Sequence, residues 1–269
     1  MKMPKAHPRC AAPEQESGRD PGDASERDSP APGSFDATGH LRRDPGAPSS
    51  EARLAPAHRD ERASSTVWVE QTMDLAALFD PHVNVVVLRR PDHPVLASYA
   101  AQIAREGPFT FKATAAFEQP NGLDALDELA ARLPPDDARD VLLEDLAYWI
   151  EVMTELTDSR RVGLRLVRPD GRMCPSFHVD HVPVRLVCTY AGEASEWLDE
   201  RDVDRAILAG RPMPVDSAVR RDAVVQRCSR FDVLLLKGSA WPDNAARGAI
   251  HRSPNGDAAR LLLTIDPLG

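Results

Sequence analysis

No stretch of the 269-residue chain approaches the roughly 20 consecutive apolar residues needed to span a bilayer, so a membrane role is not expected. Met1-Lys2-Met3-Pro4-Lys5 is followed by no apolar run, which argues against a cleaved signal peptide. Cysteine is sparse. Cys10, Cys174, Cys188 and Cys228 show neither Cys-x-x-Cys spacing nor the density of a disulfide framework, as expected of a chain kept in a reducing cytoplasm. There is no basic block either. With a formal net charge of -9, a phosphate backbone is repelled on average, and nucleic acid is not an expected partner. No Gly-x-Gly-x-x-Gly run and no Gly-x-Ser-x-Gly elbow is present, so neither a phosphate-cradling loop nor a serine nucleophile is indicated.

Residues 1–64 are rich in Pro, Gly, Ser, Ala, Asp and Arg, and Phe35, Leu41 and Leu54 stand isolated among them. Such a segment buries too little surface to offset its chain entropy, so a disordered tail is expected, with His7, His40 and His58 solvated. The remainder, 65–269, is long enough for one domain. Its first part, 65–158, reads as a mostly helical support. A strand opens at Thr66-Val67-Trp68-Val69, and Thr72 or Asp74 is placed to cap a short helix carrying Leu75, Leu78 and Phe79. Residues 83–88 read as a buried strand, 96–105 as a helix stopped by Gly107-Pro108, 109–113 as a strand, and 123–133 as a helix closed by Pro134-Pro135. Asp136 or Asp137 caps the clearest helix, where Leu142, Leu146, Trp149, Ile150 and Met153 recur at helical spacing. That stripe should pack on the outside of a sheet.

From 159 to 269 the texture is β. Strands are expected at 162–167, 176–180, 184–190, 232–238, 248–251 and 260–265, separated by Pro and Gly turns, with a variable excursion around 195–225 that holds Trp197-Leu198. Repeated short strands of this kind suggest a sandwich or jelly roll. Phe177-His178-Val179-Asp180 is the stretch that carries chemistry. On a strand His178 and Asp180 project from one face. A third leg of a metal site must come from elsewhere, and His251 is the best candidate. Two histidines and a carboxylate on one side of an ion leave the other side open, as in non-haem Fe(II) oxygenases. Arg260, nine residues past His251 and after Asn255-Gly256-Asp257, opens an apolar strand expected to run antiparallel to that of His251. Its guanidinium is suited to a distal carboxylate, so that one end of 2-oxoglutarate chelates the metal and the other forms an ion pair.

Plainer readings stand beside this one. A histidine at a strand end is often only a surface residue, and Arg260 can pair with a surface acid. Asp180 is harder to set aside, because an unpaired carboxylate among apolar neighbours is costly. Cys174, His178 and His181 offer a zinc site instead. Cys188 and Cys228 read as small core residues, and Trp241-Pro242 as a pocket wall or simple aromatic burial.

Two resemblances enter here. The runs Cys174-Pro175-Ser176-Phe177-His178-Val179-Asp180, Arg185-Leu186-Val187-Cys188-Thr189-Tyr190 and Glu196-Trp197-Leu198 resemble the bacterial family called domain of unknown function 1826. Leu235-Leu236-Lys237-Gly238-Ser239-Ala240-Trp241, Arg247-Gly248-Ala249-Ile250-His251-Arg252-Ser253-Pro254 and Arg260-Leu261-Leu262-Leu263-Thr264-Ile265-Asp266 extend the likeness over most of the chain after the tail. More distantly, the order His-x-Asp, His, Arg is similar to the 2-oxoglutarate-dependent oxygenases, especially prolyl-hydroxylase-like members. That resemblance implies Fe(II) on His178, Asp180 and His251, and 2-oxoglutarate on Arg260. Many members carry Ser or Thr two positions after the arginine; here Leu262 stands there, with Thr264 one step further on the same face.

The expectation is therefore an α+β protein with a double-stranded β-helix (jelly-roll) core and an N-terminal α/β extension. It would act as a cytoplasmic Fe(II)/2-oxoglutarate-dependent oxygenase on a small molecule or protein side chain. The alternative is a non-catalytic protein holding zinc or iron on the same scaffold.

Overall fold

The structure, a computed structural model, describes residues 64–116, 124–169, 173–208, 214–256 and 258–268. Except for Ser64, the expected tail lies outside the described residues. In chain order the elements are β1 (Thr66–Val69), a 3-10 helix (Thr72–Phe79), β2 (Val85–Leu88), α1 (Pro94–Arg105), β3 (Phe109–Ala115), α2 (Asp124–Arg132), α3 (Asp137–Thr157), β4 (Arg161–Arg168), β5 (Val184–Ala191), β6 (Glu196–Leu198), α4 (Arg205–Leu208), β7 (Val225–Arg227), β8 (Val233–Lys237), β9 (His251–Arg252) and β10 (Leu261–Leu268). Two short 3-10 turns, Glu200–Asp202 and Val215–Ala218, flank α4.

Local chemistry sets the helix limits. In α1 Pro94 occupies the first turn, where its missing N–H is no loss, and His93 Nδ1 accepts from the Leu96 N–H at 3.2 Å. The chain leaves α1 through Gly107 at φ 115°, a conformation that a side chain would strain. Asp136 caps α3 by accepting from the Ala138 N–H at 2.8 Å, and Asp158 ends it in the left-handed region. Thr72 and Asp74, expected as caps, lie inside the 3-10 helix instead. Gln71 precedes that helix without any side-chain bond to it.

The fold is mixed α+β around a seven-stranded sheet of order β1-β2-β8-β5-β10-β4-β3, in which only the β1–β2 pair is parallel. Strand alternation divides its residues between two cores. Val86, Leu88, Leu164, Leu166, Leu186, Val233, Leu235 and Leu263 face α1, α2 and α3, where Leu142, Leu146, Trp149 and Ile150 are fully buried. Val85, Val87, Val187, Leu234, Leu236 and Leu262 face the other way and pack with Trp197 and Ala249. Trp197 belongs to a second, three-stranded sheet of order β7-β6-β9, so that small sheet covers part of the large one.

Two expected strands are shorter than their sequences suggest. Residues 176–180 form no strand but a single antiparallel bridge, His178 to His251, and the strand expected at 248–251 is reduced to His251–Arg252. Nor does Arg260 open a strand beside His251. β10 is hydrogen-bonded to β4 on one side and β5 on the other, in the large sheet, while β9 pairs with β6 in the small one. Arg260 and His251 therefore approach the space between the sheets from opposite walls.

Candidate functional site

The bridge between His178 and His251 is reciprocal, each N–H donating to the other's carbonyl at 3.0 Å. Residues so paired send their side chains to the same side, and the two imidazole rings lie 4.4 Å apart between centroids. Asp180 joins them from two residues further on. Its Oδ2 lies 3.2 Å from His251 Nε2, and its Oδ1 lies 3.8 Å from His178 Nε2. One donor atom from each of the three falls within 4.8 Å of the others. Donors bound at about 2.1 Å to one ion in adjacent positions are roughly 3 Å apart, so small side-chain rotations close the cradle.

The tautomers point the same way. His178 Nδ1 lies 3.1 Å from the Ser176 carbonyl and His251 Nδ1 3.2 Å from that of Ala249, so each Nδ1 is placed to donate. Both Nε2 lone pairs then face the Asp180 carboxylate. Acceptors converging on one point repel unless a cation or proton lies among them. Burial, with the neighbouring His251, holds the His178 pKa below its ordinary value and favours the neutral form that binds a metal. Burial alone would push the Asp180 carboxyl up; with a proton rather than a metal ion on His251 Nε2, the hydrogen bond and charge from His251, with Arg185 and His178, outweigh it and hold the pKa at about 2. The donor set thus suits a divalent transition metal, with two neutral nitrogens and one carboxylate.

Arg185 is the functional neighbour that sequence reasoning missed. Its Nη1 donates to Asp180 Oδ2 at 2.7 Å, while Nε and Nη2 donate to the two oxygens of Asp266, each at 2.7 Å. A bidentate grip on β10 thereby fixes the guanidinium that holds the Asp180 carboxylate. Asp180 is fastened at its backbone too, where its carbonyl accepts from the Ser239 N–H at 2.9 Å.

Arg260 is 5% exposed, yet among the described residues no carboxylate lies within ion-pairing distance of it. Its contacts are three hydroxyls at long range: Ser253 Oγ at 3.2 Å, Ser195 Oγ at 3.4 Å and Thr189 Oγ1 at 3.5 Å. Its Nε has no partner among the described residues. Burial pulls the guanidinium pKa below its usual value, and Cys228 and Glu193 offset this only in part. Ser253 follows His251 by two residues, so the guanidinium lies about one strand repeat, roughly 7 Å along the chain, from the histidine. Gly192 lets the backbone pass beside it. At φ 80°, a Cβ there would stand 2.8 Å from Arg260 Cγ and 2.6 Å from the Ala259 carbonyl. Leu262 packs between the sheets, and Thr264 is buried one step further on.

The alternative zinc set is not assembled. Cys174 is exposed, and His181 is engaged with Ser239 Oγ at 2.9 Å. Among the described residues, His178, Asp180 and His251 form the only cluster of three or more potential ligands. Cys188 is buried as expected, with its thiol pKa pushed up by burial. Trp241 and Pro242 do line a cavity, but none of the three clustered residues shares it. Among the described residues no helix is long and apolar enough to cross a membrane.

The model of the family described as "Protein of unknown function (DUF1826)" matches residues 69–266. No curated protein matches. Among solved structures, the chain is similar to the dioxygenase for auxin oxidation from rice, at 12% identity and TM-score 0.45, covering 76% of this chain and 82% of that one. It is also similar to dioxygenase for auxin oxidation 1 from Arabidopsis thaliana in complex with 2-oxoglutarate, at 10% identity and TM-score 0.41, covering 76% and 92%. HygX from Streptomyces hygroscopicus with iron bound matches at 11% identity and TM-score 0.40, covering 73% and 87%. At such identities, any functional reading has to be carried by this chain's own side chains.

Proposed function

This chain belongs to the DUF1826 family, and from that premise and its site we propose that it is an Fe(II)- and 2-oxoglutarate-dependent oxygenase. The observation that carries the reading is Arg260: a cation in the space between the sheets, close to a convergent His-Asp-His trio and without a described counter-anion. A buried unpaired charge is costly, and a ligand carboxylate would offset that cost with two parallel charge-assisted hydrogen bonds. A metal-storage protein would need the trio but not the arginine.

The scaffold we propose is a double-stranded β-helix. In support, the chain from β4 onward passes back and forth between the sheets: β4 in the large one, His178 bridged to the small one, β5 in the large, β6 and β7 in the small, β8 in the large, β9 in the small and β10 in the large. This winding brings His178 and His251 together across more than seventy intervening residues.

On this reading His178, Asp180 and His251 hold Fe(II) through two Nε2 atoms and a carboxylate oxygen. When bound, the metal supplies dioxygen activation coupled to conversion of 2-oxoglutarate to succinate and carbon dioxide. The chain's own work is positional. The carbonyls of Ser176 and Ala249 fix the imidazole tautomers, Arg185 orients the Asp180 carboxylate, and Arg260 with its hydroxyl neighbours receives the distal acid. Val187, Leu262 and Trp197 keep water from the gap between the sheets.

An anaerobic Fe(II) titration with and without 2-oxoglutarate tests this. A visible charge-transfer band that needs both, followed by succinate on admitting oxygen, is the expected result. Tight metal binding with neither signal would leave a metal-holding protein in its place.

A further inference from the structure

On the helix side of the large sheet, where β8 ends and β5 begins, a cavity of about 820 Å3 opens between the 3-10 helix, the end of α3 and the turn after β8. None of His178, Asp180, His251 or Arg260 lines it. Much of its wall is apolar, and the rings of Phe79 and Trp241 stand 5.7 Å apart within it.

One cation is buried in that wall. Strand alternation puts Lys237 on the same side as Val233 and Leu235, and the residue is 2% exposed. Its Nζ donates to the Asp80 carbonyl at 2.7 Å and lies 5.1 Å from the Trp241 ring. Among the described residues no carboxylate pairs with it. An ammonium has three protons to donate, and among the described residues only one is used. Arg247 adds a second positive charge to the lining, and the acids that share it, Asp158 and Asp243, are exposed. Burial and the charge of Arg247 lower the Lys237 pKa, and the charge of Asp80 offsets this only in part. A buried, incompletely satisfied cation beside a second one is costly in an apolar cavity, and an anionic ligand relieves that cost.

We propose that this cavity is a second ligand site, taking a small organic anion whose acid group meets Lys237 and whose apolar or aromatic body lies against Phe79 and Trp241. The site adjoins the first mainly through backbone, with the Ser239 hydroxyl also donating to the Asp180 carbonyl at 3.3 Å. Gly238, Ser239 and Ala240 leave the cavity wall and donate in turn to the carbonyls of Pro183 (2.9 Å), Asp180 (2.9 Å) and Val182 (3.2 Å). The approach is close enough that a Cβ on Gly238 would fall 2.0 Å from the Val182 carbonyl. An occupant of the cavity thus bears on the stretch that fastens Asp180.

The test uses two fluorescent probes of similar shape, the anionic 8-anilinonaphthalene-1-sulfonate and the neutral N-phenyl-1-naphthylamine, on the full chain. The sulfonate should bind at one site per chain. Lys237→Met keeps the cavity but removes the charge, and should weaken the sulfonate about tenfold or more while leaving the neutral probe unchanged. Ala240→Trp, which fills the cavity from its rim, should exclude both probes and serves if Lys237→Met does not fold. Excess 2-oxoglutarate and the substitution His251→Ala should each leave the sulfonate bound. Equal sulfonate affinity in wild type and Lys237→Met, displacement by 2-oxoglutarate, or binding of both probes to Ala240→Trp as in wild type would each overturn the assignment.

Discussion

Replacing Arg260 with methionine should make the ligand-free protein more stable while abolishing its response to 2-oxoglutarate. The arginine loses its hydration on folding and recovers three hydroxyl contacts of 3.2 to 3.5 Å, with Nε left unpaired. Contacts that long are worth about 0.5 kcal/mol each at best, against a desolvation penalty of several kcal/mol. Methionine retains the apolar stem and removes the charge, so a net gain of about 1–2 kcal/mol is expected, roughly 3–6 °C in Tm for a domain of this size. With Fe(II) under anaerobic conditions and 2-oxoglutarate near 100 times Kd, wild type should gain a further ~2.7 kcal/mol, and the variant should gain nothing beyond the metal's own effect. Thermal melts of both proteins, with metal alone and with metal plus 2-oxoglutarate, supply every term. If Arg260→Met proves less stable than wild type without ligand, the arginine is a structural strut. If it keeps the 2-oxoglutarate increment, the anion binds elsewhere.

Three other outcomes are expected. Arg185→Gln should lower metal affinity about 10- to 100-fold, as loss of a group that orients a ligand does, and Arg185→Lys should not restore it because lysine cannot span Asp180 and Asp266; competition with a chelating dye measures both. Gly192→Ala should cost about 2–4 kcal/mol in urea unfolding, from its positive φ and the 2.6 Å approach to the Ala259 carbonyl, and should also weaken 2-oxoglutarate by displacing Arg260. Glu196 is 2% exposed and held by Arg227 and Arg252; burial pushes its pKa up, but the two guanidiniums outweigh it and bring it below 4.5. Its contribution is therefore complete above the ordinary carboxylate range and lost as pH falls through the lower folded value, so Glu196→Gln should cost about 2 kcal/mol at neutral pH and nothing once wild type is protonated.

The trio and the arginine near it were legible from residue type and two short spacings: His178 and Asp180 two apart, and Arg260 nine residues past His251 across a turn. The large sheet was legible from runs such as 83–88 and 232–238, whose branched side chains suit burial on both faces and which hold β2 and β8. Residues 176–180 misled because Phe177 and Val179 alternate like a strand. Phe177 does bury, against Leu198, Val203, Ala218 and Ile250, but only one bridge forms there. Arg185 could not be found by spacing, since its role depends on the β5–β10 pairing that sets it near Asp266, 81 residues away. Nor does anything local distinguish Lys237 from the apolar residues before it, because the cavity it enters is walled in part by the 3-10 helix and the end of α3, more than 75 residues distant in sequence.

Because Arg260 reaches in from one wall of the sandwich and His251 from the other, the distance between walls acts as a gauge for whatever bridges them. Its calibration lies in the apolar spacers, Val187, Leu262 and Trp197, rather than in any polar group. On the proposed oxygenase reading, trimming or enlarging these should retune which diacid chain length is accepted, a shorter oxo-acid or a longer one, while every charged residue stays in place.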